Sequence, residues 1–161
     1  MSNAYLTTAE ADALAATLPG LTAWAAASDA NKAKAIERAS RDVDNAMPYQ
    51  GRKYAAGQVN QFPRVPFDGC ARADVWDWDA TTNAAVAPDD VLVAVLMQAD
   101  TILAGDRDAR LDAQHDGVVY DQTGSVAESY KLTQGPGVTT GLCRAAYVLM
   151  RKYRLKSGQL L

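Results

Sequence analysis

The chain has 161 residues, of which 48% are hydrophobic and 22% charged, values typical of globular proteins that exclude a wholly disordered or low-complexity chain. This length fits one domain with a hydrophobic core of its own. The formal net charge is −3, which argues against a broad basic surface for nucleic acid, so any contact with DNA would have to be local.

The two cysteines and the single histidine leave little material for catalysis or metal binding. Cys70 and Cys143 lie far apart without a CxxC spacing, which favours structural thiols in a reducing compartment. His115 is followed by Asp116, but no nucleophile motif accompanies it, and a hydrolase using His115 is the weakest alternative. We therefore predict a protein that is not an enzyme and that takes no cofactor and no metal.

No apolar run reaches the roughly 18 residues of a membrane span, and the N-terminus lacks a signal-peptide pattern. We expect synthesis in the cytoplasm and no membrane partner.

Residues 1 to 47 are predicted to form the N-terminal helices. Thr7 and Glu10 have the spacing of a capping box, and Pro19-Gly20 ends this first helix. Ser28 or Asp29 can cap a second, long helix that runs to about Met47. Its apolar residues recur every three or four positions and predict one buried stripe: Ile36, Ala39, Val43 and Met47.

Residues 48 to 87 are predicted to form a long ordered loop, because glycine and proline interrupt the segment too often for a helix. Its many aromatic residues indicate that the loop packs against the rest of the chain or against a neighbouring subunit. Residues 88 to 105 follow as a helix opened by Pro88 and two aspartates, and this helix is apolar on nearly every side. We expect it to be the central core helix.

The last third of the chain is predicted to contain a β-hairpin over residues 117 to 132, with a turn at Gln122-Thr123-Gly124. Thr139 or Thr140 then caps a C-terminal helix, which continues with a basic tail to residue 161. The predicted fold class is mainly α: a small bundle of about four to five helices in one domain, with a long ordered loop and a β-hairpin inserted before the last helix.

Charge is segregated along the chain. Residues 61 to 130 hold four arginines and thirteen acidic residues, whereas residues 131 to 161 hold six lysines or arginines and no acidic residue. The basic segment is either the solvated end of a helix, where the helix dipole favours cations, or an arm that docks on an acidic partner. Composition leaves both interpretations open.

Nucleic-acid binding has one argument from the residues themselves. Aromatic side chains can stack on bases while neighbouring cations follow the phosphates. One group of residues has this mixture, although it could equally pack as an internal interface: Arg52, Lys53, Tyr54, Phe62 and Arg64.

The order of several short motifs is informative. They are Tyr5 to Asp12 (YLTTAEAD), Trp24, Lys34 to Asp44 (KAIERASRDVD), Gly51-Arg52, Gln61-Phe62-Pro63-Arg64 and Pro88-Asp89-Asp90-Val91. In this order they resemble the head–tail connector, or adaptor, proteins of tailed bacteriophages, including a phage family described as DnaT-like single-stranded-DNA-binding proteins. The resemblance covers most of residues 5 to 105.

The resemblance implies a structural virion protein that forms a ring beneath the portal, matching its twelve-fold symmetry, and extends the DNA channel toward the tail. The implied partners are further copies of the chain, the portal, a tail-side completion or stopper protein, and DNA that passes without sequence-specific contact. The implied location is the head–tail connector of the virion, and the host cytoplasm during assembly. The alternative is a DnaT-like replication accessory protein that binds single-stranded DNA.

The resemblance also assigns roles to residues. Phe62, Pro63 and Arg64 are a loop signature with a structural role. We expect the acids of the middle segment, Asp106, Asp108 and Asp112, to face the channel. The expected partner interface is the C-terminal helix and tail: Arg144, Arg151, Lys152, Tyr153, Arg154, Lys156, Leu160 and Leu161.

Overall fold

A computed structural model of the chain describes residues 4–65, 77–79, 84–105, 120–123, 126–129 and 141–155. Within these residues it contains five α-helices and three two-stranded antiparallel ribbons. The helices are α1 (Thr8–Ala15), α2 (Thr22–Ala26), α3 (Asp29–Asn45), α4 (Asp89–Ala104) and α5 (Arg144–Met150), and a 3-10 turn, Arg151–Tyr153, follows α5. The strands pair as β1 (Arg52–Lys53) with β2 (Arg64–Val65), β3 (Asp77–Asp79) with β4 (Ala84–Val86), and β5 (Tyr120–Thr123) with β6 (Val126–Ser129).

This architecture confirms the predicted fold class, a mainly helical bundle with a β-hairpin before the last helix. The hairpin differs from the prediction in its turn, because Gln122 and Thr123 belong to β5 and pair with β6.

Local signals fix the start of α1 and the end of α4, whereas α1 ends at Ala15, before the predicted end at Pro19-Gly20. Thr7 accepts a hydrogen bond from the Glu10 amide at 3.3 Å, and the Glu10 carboxylate accepts one from the Thr7 amide at 2.7 Å, which is the predicted capping box. Gly105 ends α4 with φ +79°, a left-handed conformation that glycine adopts without steric cost.

The core is built around α4, whose Val91, Ala94, Val95, Leu96 and Ala99 are fully buried. The predicted stripe of α3 packs against it, and α5 and α2 cover further sides of α4. The apolar sequence of α4 therefore predicted its central place correctly.

The predicted long loop is ordered where the structure describes it, and two of its aromatic residues, Tyr49 and Phe62, pack internally. Phe62 lies between Tyr49 and Tyr153, with ring centroids 5.0 and 5.2 Å away and edge-to-face geometry. These contacts join the β1–β2 ribbon to the turn after α5.

The last helix begins at Arg144, later than the predicted start at Thr139 or Thr140. Residues 139 and 140 lie outside the described residues, but Leu142 and Cys143 are described and are not helical. Cys143 caps α5, and its backbone amide donates to the buried side chain of Gln98. A tertiary hydrogen bond, absent from any local pattern, therefore sets this boundary.

Candidate nucleic-acid interface

One face of α5 is basic and exposed. Arg144, Tyr147, Val148 and Arg151 lie at helical positions i, i+3, i+4 and i+7, which places them on the same side. Both arginines are exposed, Val148 is 46% exposed and Tyr147 is partly exposed. The opposite face holds Ala146 and Met150, which are fully buried against the bundle. The sequence of α5 thus buries one small apolar stripe and leaves two guanidinium groups, a phenol ring and an isopropyl group in solvent.

Arg154, which follows the 3-10 turn after α5, is one more exposed cation. Lys152 is engaged instead: its Nζ forms an ion pair with Asp90 and lies 4.9 Å from the centre of the Tyr153 ring. The hydrogen bond to Asp90 raises the pKa of Lys152 above its ordinary value. Tyr153 is 1% exposed and belongs to the core.

The expected partner interface therefore divides into two groups. Arg144, Arg151 and Arg154 are exposed, whereas Lys152 and Tyr153 make internal contacts that hold the turn. Lys156, Leu160 and Leu161 lie outside the described residues.

Gln98, a residue that the sequence did not single out, seats the start of α5. Its side chain is fully buried; Oε1 accepts from the Cys143 amide at 2.7 Å, and Nε2 donates to Asp42 Oδ2 and to the Gly141 carbonyl, each at 2.9 Å. One amide thus links α3, α4 and the start of α5. A polar residue in the apolar sequence of α4 was the available signal, because buried amides need partners.

The group of basic and aromatic residues that could form either a base-stacking surface or an internal interface separates in the structure. Phe62 is 2% exposed, so its ring is not available to a base. Arg64 is buried and donates to the carbonyls of Tyr49, Gln50 and Gly51. Arg52 and Tyr54 remain exposed.

Lys53 closes the loop between β1 and β2. Its Nζ donates to the carbonyls of Gln58 and Val59 at 3.2 and 2.9 Å. The loop carries Tyr54 and Val59, which are 48% and 60% exposed.

A buried polar cluster lies between α1, α3 and this ribbon. The Tyr5 hydroxyl donates to Asp44, the Gln61 amide donates to the same carboxylate oxygen at 2.9 Å, and the Phe62 amide donates to the Tyr5 hydroxyl at 3.0 Å. Burial raises the pKa of both the Tyr5 hydroxyl and the Asp44 carboxyl above their ordinary values. The role of the cluster is to hold the ribbon on α3.

A shallow groove of about 450 Å³ lies between α1 and α2, with Trp24 on its floor. One carboxylate oxygen holds two donors there: Asp12 Oδ1 accepts from Trp24 Nε1 at 2.9 Å and from Lys32 Nζ at 2.8 Å. The Trp24 ring nitrogen and the Lys32 ammonium are therefore already engaged within the protein.

The structure does not describe the remaining residues that the sequence singled out, so it does not place them at this interface. Asp106, Asp108, Asp112 and His115 all lie outside the described residues. Within the described ranges, no group of three or more histidine, cysteine, aspartate or glutamate side chains could hold a metal ion. No helix in the same ranges is both long and apolar enough to cross a membrane.

Comparison with known proteins adds one result. A family model described as "Putative DnaT-like ssDNA binding protein" matches residues 1–158. No curated protein and no solved structure matches the chain.

Proposed function

The chain belongs to the DnaT-like ssDNA-binding family, and from that premise we propose that it binds single-stranded DNA through the exposed face of α5 and Arg154. The observation that carries the proposal is the mixture of side chains on that one face. Arg144 and Arg151 are exposed on this face, and Tyr147 and Val148 lie between them. The protein acts by binding and not by catalysis.

This mixture is what a flexible single strand requires. Guanidinium groups pair with phosphate oxygens, and aromatic and apolar side chains contact bases that a duplex keeps stacked inside. We therefore expect single-stranded DNA to bind more tightly than duplex DNA of the same length.

Charge distribution supports the same site. The acidic residues that give the chain its net charge of −3 are absent from residues 131 to 161, which contain α5. A phosphate approaching α5 meets a locally positive segment, and screening at physiological salt limits repulsion from charges more than about 8 Å away.

The test is a titration of a fluorescently labelled oligo(dT) strand, with anisotropy read at salt concentrations from 50 to 200 mM. Three arginine–phosphate contacts predict a slope of about −2 for the logarithm of the affinity against that of salt, or about 20-fold weaker binding across this range. The R144A/R151A double variant should bind more weakly, with the slope reduced to about −0.7. R41A, which removes an exposed arginine from α3, is the matched control and should behave as the wild type. Equal affinity of the double variant and the wild type would exclude this face.

A second candidate is the head–tail connector implied by the sequence resemblance, acting in a virion ring beneath the portal after assembly in the host cytoplasm. The opposite charges of residues 61 to 130 and 131 to 161 favour it, since rings need two dissimilar, complementary surfaces on each subunit. The family match gives this candidate no support.

Negative-stain microscopy with and without portal protein separates the two candidates. The connector predicts rings on the portal, and a deletion of residues 156–161 should prevent their formation. The deletion starts there because the Leu155 amide donates to the Pro48 carbonyl at 2.8 Å, so residue 155 is part of the fold. Absence of rings on the portal would contradict the connector.

A further inference from the structure

The loop between β1 and β2 carries exposed apolar surface that the proposed α5 site does not use. We propose that this loop is a second contact for the same single strand, at which the Tyr54 ring stacks on a base and Val59 adds apolar contact. This inference rests on the proposed function and extends it from one helix face to two elements.

The distribution of exposed apolar side chains is the first argument. Among the residues that the structure describes, the large hydrophobic side chains that are exposed are Tyr54, Val59 and Val148. Two of them lie on this loop and the third on the basic face of α5. Exposed apolar surface of this kind marks binding sites when it is grouped with charge.

The loop is held in shape before any ligand arrives. The Tyr54 amide donates to the Pro63 carbonyl at 3.2 Å, and Gln58 Nε2 donates to the carbonyls of Asn60 and Pro63, each at 2.9 Å. Together with the two bonds from Lys53, these contacts tie both sides of the loop to each other. A base that stacks on Tyr54 therefore meets a platform whose backbone is already ordered, which lowers the entropic cost of binding.

Backbone and side-chain hydrogen bonds join the residues just before β1 to the segment after α5. Tyr49 forms a β-bridge with Arg154, the Gln50 amide donates to the Tyr153 carbonyl at 2.9 Å, and Gln50 Nε2 donates to the Lys152 carbonyl at 3.0 Å. Movement of the ribbon away from the end of α5 would break these bonds. The two contact elements are thus mechanically coupled.

Charge indicates a nucleic acid as the occupant. Residues 45 to 67 contain no acidic residue, as residues 131 to 161 also contain none. Of the three cations in residues 45 to 67, Arg64 is buried and Lys53 donates to loop carbonyls, whereas Arg52 is exposed. Arg52 and Tyr54 are both exposed and lie two positions apart, so the start of the loop carries a cation and an aromatic ring. A partner that brings bases and phosphates together satisfies both groups.

The experiment compares two strands and three proteins. Wild type, Y54A and Y54F are titrated with an oligo(dT) strand and with an abasic strand of the same length, at one salt concentration. Y54A should lose about fivefold to a hundredfold in affinity for oligo(dT), the usual range for removing one base–aromatic stack, and change little on the abasic strand. Y54F keeps the ring and should bind as the wild type does.

The outcomes distinguish this inference from the proposed function. If Y54A binds oligo(dT) as tightly as the wild type while R144A/R151A does not, the loop contact is wrong and the α5 site stands. If the wild type binds neither strand, the proposed function fails and the loop contact fails with it. Equal losses by Y54A on both strands would mean that the loop does not read bases, which also overturns the inference. Because Tyr54 is exposed, thermal unfolding of the three proteins should coincide and confirm that the fold is intact.

Discussion

Arg64 is buried and uses its guanidinium group for hydrogen bonds within the protein. Its guanidinium donates to three consecutive backbone carbonyls, those of Tyr49, Gln50 and Gly51, and to Gln61 Oε1 at 2.7 Å. Arg52 and Arg64 lie on paired strands, yet Arg52 is exposed and Arg64 is buried. At the level of single residues, the residue type alone therefore does not show whether an arginine binds a ligand or holds the fold. Burial decides between them, and burial depends on the fold.

Replacement of Arg64 tests this structural role. R64M should lower the free energy of unfolding by about 3 kcal/mol, because it removes charged hydrogen bonds from buried carbonyls. R52A, on the paired strand, should change it by less than about 0.5 kcal/mol. Urea denaturation of both variants provides the comparison, and equal losses would contradict the assignment.

Asp44 makes stability depend on pH in a direction opposite to that of most carboxylates. Burial holds its pKa above the ordinary value of 3.8, so the folded chain binds this proton more tightly than the unfolded chain. The stability that the proton contributes is complete below pH 3.8 and is lost as the pH rises through the folded pKa.

Asp44→Asn removes this titration while keeping an oxygen that can accept from Tyr5 and Gln61. The free energy of unfolding of D44N, measured relative to wild type, should therefore increase from pH 4 to pH 7. Chemical denaturation at each pH gives the difference, with D29N at an exposed position as the control. A difference that declines with rising pH would show that Asp44 is stabilised in its charged form.

Some helix boundaries are determined by neighbouring residues and others by residues that are distant in the sequence. α1 starts where Thr7 and Glu10 form a capping box, and α4 ends at Gly105, so both boundaries could be predicted from neighbouring residues. The start of α5 could not, because it depends on Gln98, which lies 45 positions before Cys143. The sequence therefore predicted the number and order of the helices better than it predicted where α5, the helix of the candidate site, begins.

Loss of the Gln98 side chain tests how α5 is seated. Q98L should lower the free energy of unfolding by about 2 kcal/mol, since the part-buried Cys143 amide loses its acceptor. It should also raise hydrogen exchange at the start of α5 above that of the rest of the bundle.

Thr101 on the same helix offers the matched control, because its hydroxyl donates to the Met97 carbonyl within α4 and not to the start of α5 in the part of the chain that the structure describes. T101A should leave exchange at α5 unchanged. If Q98L does the same, the start of α5 is held by other contacts.

For the whole molecule, the net charge does not show that two segments lack acidic residues, which is the feature that matters for DNA binding. A value of −3 excludes a broad basic surface, yet residues 45 to 67 and 131 to 161 are both free of acidic residues. The fold brings these two segments together through the hydrogen bonds of residues 48 to 50 with residues 152 to 155. Charge segregation was visible in the sequence, whereas the pairing of the two segments needed tertiary structure.

Photo-crosslinking of the full chain to an oligo(dT) strand that carries 5-iodouracil tests the central claim most directly. Peptide mapping by mass spectrometry should place the crosslinks at Tyr147 on α5 and at Tyr54 on the β1–β2 loop, and excess unlabelled single strand should abolish them. Crosslinks at Trp24 in the α1–α2 groove, or none at either tyrosine while the strand is bound, would contradict the account.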